Sequence, residues 1–338
     1  MMNEENESKP DPLSSPPLTS SGVESAQSPD SETTSVIPQA NGHNVKRPRV
    51  WSALVVALVG ILAAIAVSFA SLPVAARALG IASQEDASKL ADVTKLLEAL
   101  LAHPLGIWFL VAPGQLAFIA VAFLAAALSP EAIPNRLAMR VGRLPLSNWL
   151  ILAVATPAVG IISAILVMQF AEEPSPHMEL IGDLLTSKTG FGLVAMVLLV
   201  SVLPGIAEEL LFRGYLQSRL LKSWPPFAAI VVSAALFAAA HGDPMHAVAV
   251  FPIGIWLGIV AWRTGSLWPA ILCHAYNNLN AIVAAQLGVE GEEVAAAQVV
   301  PFVVSLVAMS FAIGILLRAN GNSRGDDLVA ELVVDDQQ

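Results

Sequence analysis

Apolar residues in this chain come in long runs, not at the spacing of a half-buried soluble helix. A bilayer span takes about 20 mostly apolar residues. Eight runs approach that length, roughly 51–72, 104–128, 149–170, 190–212, 226–241, 245–262, 266–287 and 298–317, of which the fifth and sixth are short. Residues 82–102 differ: Leu90, Val93, Leu97 and Leu101 share one face behind Ser83 as an N-cap, the pattern of an amphipathic helix lying on a membrane surface. Residues 1–45 are rich in Ser, Pro, Glu, Thr and Asn, without apolar periodicity, and read as a disordered tail. Residues 319–338, with Asp335 and Asp336, read as a polar acidic tail. The expected fold is all-α, a polytopic membrane bundle of about eight transmembrane helices. Three spans and the amphipathic helix fall in 46–189, four in 190–287, and the last in 288–318.

Composition agrees. The chain is 55% hydrophobic and 13% charged, against about 25% charged in a soluble domain. The net charge of −10 sits in the tails and loops, and no basic stripe of the kind nucleic acid requires is present. The expected partners are membrane lipid and a protein or peptide substrate. Cys273 is the single cysteine, which excludes an internal disulfide. It reads as a small buried hydrophobe.

Charge also sets orientation. With the N-terminus in the cytoplasm, eight spans place Arg77, Lys89, Lys95 and Lys188 outside and the remaining thirteen of 17 Lys and Arg inside, as the positive-inside rule asks. The expected location is the plasma membrane, multi-pass, in a bacterial setting.

Ionisable residues inside spans are costly and face the protein interior or a wet cavity. Here they cluster in the second half of the chain: Glu208, Glu209, Arg213, His241 and His274. Glu209 and Arg213 stand four apart in the favourable helical order and can neutralise each other. Glu208 is turned about 100° away and has no such partner, as a general base requires. An ion pair beneath the lipid headgroups is the plainer alternative. His274 and Asn278 share a helix face, while Asn277 points elsewhere. They suit catalysis or a hydrogen bond between helices equally well. His241 and His246, at span ends, read as interfacial when taken alone. Pro204-Gly205, just before the glutamates, should kink or break that helix, which is tolerated where a helix lines a cavity.

Helical rise places these groups at a shared depth. Glu208 lies roughly 21 Å and His241 roughly 24 Å from the turn near 222–225, while His274 and Asn278 lie roughly 12 and 18 Å along the seventh span from the same side.

Three segments then resemble one family. Ala207-Glu208-Glu209-Leu210-Leu211-Phe212-Arg213 resembles the Glu-Glu-x-x-x-Arg motif of the CPBP family, which unites CAAX proteases and bacteriocin-processing, Abi-like proteins. Phe237-Ala238-Ala239-Ala240-His241 resembles its Phe-x-x-x-His motif, and His274-Ala275-Tyr276-Asn277-Asn278 its His-x-x-x-Asn motif. The resemblance spans roughly 190–285 and implies an intramembrane endopeptidase related to the type II CAAX prenyl endopeptidase. It implies Glu208 as base, Glu209 with Arg213 as its partner, and His241, His274 and Asn278 activating water and stabilising the oxyanion. The family is commonly called a metalloprotease. A zinc or other divalent ion, if used, would take His241 and His274, with a glutamate third. The rival class is non-enzymatic: a scaffold or immunity-type protein, or a small transporter with a polar intramembrane site. A transporter usually carries an internal repeat, and none is visible.

Overall fold

The computed structural model describes residues 50–81, 93–103, 105–142, 144–170, 173–186, 188–287 and 292–319. The expected N-terminal tail, residues 320–338 of the expected C-terminal tail and residues 82–92 of the amphipathic segment lie outside these. Among the described residues every regular element is helical: α1 (Val50–Ala78), α2 (Val93–Ala102), α3 (Gly106–Ala127), α4 (Ile133–Arg136), α5 (Leu146–Phe170), α6 (Pro176–Thr186), α7 (Gly190–Leu220), α8 (Pro226–Ala239), α9 (Pro244–Thr264), α10 (Leu267–Gln286) and α11 (Glu292–Arg318).

Six of these, α1, α3, α5, α7, α9 and α11 (over Val299–Arg318), are long and apolar enough to cross a membrane. The chain is a multi-pass membrane protein. The expected count of eight is not reached on those criteria. α8 is a shorter apolar helix, and α10 is not among the six, carrying His274, Asn277, Asn278, Asn280 and Gln286. α7 outruns its expected end at 212 by eight residues, because Arg213 is buried and paired and does not mark the water boundary. The connection between the third and fourth expected spans holds α6.

α7 is the hub, packing against α1, α3, α8, α9 and α10. In a bilayer, burying apolar surface does not drive helices together, so close approach of small residues does. α1 turns Ala53, Ala57, Gly60 and Ala64 inward and Leu58, Leu62 and Phe69 outward. A Cβ on Gly60 would stand 2.6 Å from Leu211 of α7. α3 answers with Phe118, Ala122 and Ala126. On the other side α5 packs against α9, α10 and α11 around Ala155, Leu257, Ala270 and Ala312.

Pro204 does not break α7. The helix stays continuous and widens into π-helical turns at Val197–Val202 and Leu210–Gln217. Beside the first of these turns, Asn278 Nδ2 of α10 donates to the Val200 carbonyl at 3.0 Å. A proline supplies no N–H to the carbonyl four residues back in an α-helix; Pro113 in α3 leaves that of Phe109, and Ser71 Oγ donates to it at 3.2 Å. The tie from α10 to α7 comes from Asn278, a residue that the sequence motifs single out.

The end of the bundle that carries most basic residues is braced by backbone. Leu267 N–H donates to the Ala138 carbonyl at 2.9 Å, and Ser266 Oγ to that of Arg140 at 2.7 Å. Arg136 is buried there, stacked 4.0 Å over the Tyr215 ring. Burial lowers its pKa from the ordinary arginine value.

Candidate functional site

α7 presents both glutamates inside the bundle. Glu209 is fully buried, and its Oε1 accepts from Arg213 Nη1 at 2.6 Å. Arg213 uses its second arm on the Gly254 carbonyl at 2.9 Å and lays its guanidinium 4.4 Å over the Phe237 ring. Gly254 permits this, since a Cβ there would stand 3.0 to 3.2 Å from Ala234 and Phe237. Charge, hydrogen bonds and an aromatic face together hold an arginine that would otherwise be costly at this depth.

The same Glu209 oxygen meets His274 Nδ1 at 2.9 Å. A carboxylate that already takes an arginine accepts from the imidazole as well, so Nδ1 carries the proton. His274 Nε2 then turns toward Glu208, 3.8 Å from its Oε2. Glu208 Oε1 accepts from Gln115 Nε2 of α3 at 2.9 Å, whereas its Oε2 is buried with no hydrogen-bond partner. Gln115 was invisible to sequence reasoning. A glutamine in an apolar run carries no charge to flag it, and its partner lies 93 residues away.

His241 follows the C-terminal end of α8, where the last carbonyls lack helical partners. Its Nδ1 lies 3.0 Å from the Phe237 carbonyl. A carbonyl only accepts, so Nδ1 carries the proton and Nε2 keeps its lone pair. Phe237 is almost fully buried, with ring contacts to His241 at 5.1 Å and His274 at 5.7 Å, so it spaces the two histidines. His246, expected at the interface, instead packs 4.6 Å from His241 and 5.6 Å from His177 of α6. Both flank the cavity rather than only the membrane surface. Asn277, expected to point elsewhere, hydrogen-bonds Asn278 Oδ1 at 3.5 Å and lines the same space. Asp243 caps α9 by accepting the His246 N–H at 2.7 Å, and that bond holds its carboxyl below the ordinary 3.8.

These groups enclose a cavity of about 630 Å³. Glu208, His241, His274 and Asn278 all line it, with Gln115, His246 and Asn277, and apolar residues of α1, α3 and α6 complete the wall. It lies toward the end of the bundle that carries α6, away from the braced basic end. Cys273 is fully buried outside it.

A catalytic zinc takes three protein ligands. Among the described residues no three or more His, Cys, Asp or Glu side chains are placed to hold a metal. No chemical step below runs through a metal.

Residues 190–280 match the family described as type II CAAX prenyl endopeptidase Rce1-like. The matched segment runs from the first residue of α7 into α10 and so takes in all three motifs. At family level it is similar to CAAX-type intramembrane proteases. No curated protein and no solved structure matches the chain.

Proposed function

We propose, from the similarity of 190–280 to type II CAAX prenyl endopeptidases, that the protein is an intramembrane endopeptidase. It hydrolyses a peptide bond near the C-terminus, or in the membrane-proximal part, of a protein or peptide substrate. The reading rests on one relation above the rest: the unpartnered Glu208 Oε2 faces His274 Nε2 at 3.8 Å on the cavity wall. That gap is too long for a direct hydrogen bond and suits a single bridging water.

Glu208 Oε2 takes a proton from that water as its oxygen bonds to the scissile carbonyl carbon. His241 Nε2, a lone pair on the cavity side, helps orient the water. His274, with Nδ1 on Glu209 and Nε2 toward Glu208, enters this step as the imidazolium, and the oxyanion that forms receives hydrogen bonds from its Nε2–H and from the second amide hydrogen of Asn278. The carbon–nitrogen bond then breaks, and the proton on Glu208 passes to the leaving amine. Glu209 holds His274 in register from behind, and Arg213 anchors Glu209.

The test is hydrolysis of membrane-proximal peptides by purified protein in liposomes. Glu208→Ala should lose on the order of 10²–10⁴ in kcat, the usual worth of a general base. Cleavage of a confirmed substrate at the wild-type rate would overturn the assignment. Activity should also survive dialysis against a chelator, and a loss restored by zinc would overturn the metal-free route.

A further inference from the structure

Gln115 lies in α3, outside the matched segment, and is the one side chain from the first half of the chain that hydrogen-bonds a motif residue among the bonds described. Its Nε2 donates to Glu208 Oε1 at 2.9 Å. Its own Oε1 is buried with no hydrogen-bond partner, and the residue lines the cavity.

The amide has one sensible orientation. Turning it over would set a carbonyl oxygen against a carboxylate oxygen, two acceptors face to face. With the NH₂ on Glu208, the carbonyl is left as an acceptor with no protein donor. A buried acceptor without a partner costs free energy, and helices in a bilayer can be joined by hydrogen bonds that leave no such orphan. The position is supported from behind. Gly114 brings α3 close to α1, where a Cβ would stand 2.7 Å from Ser68 Oγ. Pro113 interrupts the α3 ladder two residues before Gln115, and Ser71 covers the carbonyl it frees.

We propose that Gln115 is a positioning residue for the hydrolysis and a contact for the substrate. Its NH₂ fixes the rotamer of Glu208, so that Oε2 and not Oε1 faces His274. Its free carbonyl accepts a hydrogen bond from a backbone N–H of the peptide beside the scissile bond. This rests on the hydrolytic reading above. It adds that the base is aimed by a helix outside the matched domain, and that the ligand recognised there is an extended peptide backbone donor.

Two variants separate the roles. Gln115→Glu keeps the shape but removes the donor and sets a second carboxyl against Glu208. Gln115→Leu removes both the donor and the acceptor. Both should fold, judged by melting temperature in detergent, and both should lose about tenfold or more in kcat, a part of what a general base supplies. The acceptor is read with a peptide N-methylated at successive positions. Wild type should discriminate against one methylated position by a rise in KM, and Gln115→Leu should lose that discrimination. A folded Gln115→Leu with wild-type kcat and unchanged discrimination overturns the proposal. A wild-type protein that cleaves nothing overturns the hydrolytic reading instead.

Discussion

Asn278 Nδ2 donates to the carbonyl of Val200 at 3.0 Å, in the π-helical turn that leads α7 to the glutamates. A residue placed by its motif in the chemistry is thereby also a tie between α10 and the helix that carries the base. Asn278→Leu should lose that tie, lowering stability by about 0.5–1.5 kcal/mol, and should lose hydrolysis as well. Unfolding in detergent measures the first effect and peptide cleavage the second. An Asn278→Leu protein as stable as wild type would show that the Val200 bond does not hold the two helices together.

The Glu209–Arg213 pair should be worth little as a pair and much as a partnership. Arg213→Met leaves Glu209 buried without its counter-charge, and breaking such a pair costs about 3–5 kcal/mol. Arg213→Lys should rescue it only in part, because an ammonium cannot reach both Glu209 and the Gly254 carbonyl while stacking on Phe237. Combining Glu209→Gln with Arg213→Met should restore most of the stability. Melting temperatures of the three variants check the ordering.

Asp243 gives a pH signature outside the spans. Its folded pKa lies below the ordinary 3.8 because it accepts the His246 N–H at the start of α9. A depressed carboxyl contributes stability that is fully present above its unfolded value and is lost as pH falls through the folded one. The gap in melting temperature between wild type and Asp243→Ala should therefore be constant above pH 3.8 and close below it. A gap that persists unchanged at lower pH would mean that the charge on Asp243 plays no part.

The cavity lies toward the end of the bundle with α6, whereas most Lys and Arg gather at the other end. If the positive-inside bias sets orientation, a cysteine at His177 should react with a membrane-impermeant thiol reagent added outside sealed cells. A cysteine at Val141, which is 80% exposed on the basic end, should not. Cys273 is fully buried and gives no background. The reverse pattern would put the cavity on the cytoplasmic side.

What could be read from the sequence was what depends on near neighbours. Long apolar runs announced the spans, and four-residue spacing announced the Glu209–Arg213 pair, because both are properties of one helix. Partnerships between helices were not readable. Gln115 meets Glu208 across 93 residues and Asn278 meets Val200 across 78. His246 is a related case: a span end reads as an interface, and α6, unforeseen in the loop before α7, carries His177 against it.

Arg213 and Glu209 occupy one helix, a single turn apart. A charged residue near the middle of an inserting segment is opposed by about 2.5–3.5 kcal/mol. When the counter-charge sits on another helix, the segment must wait for that helix before it can settle in the bilayer. α7 brings its own, so it can leave the insertion machinery already neutralised at that point. The walls made by α1 and α3 are synthesised before it, which leaves Gln115 in place to meet Glu208 as α7 arrives.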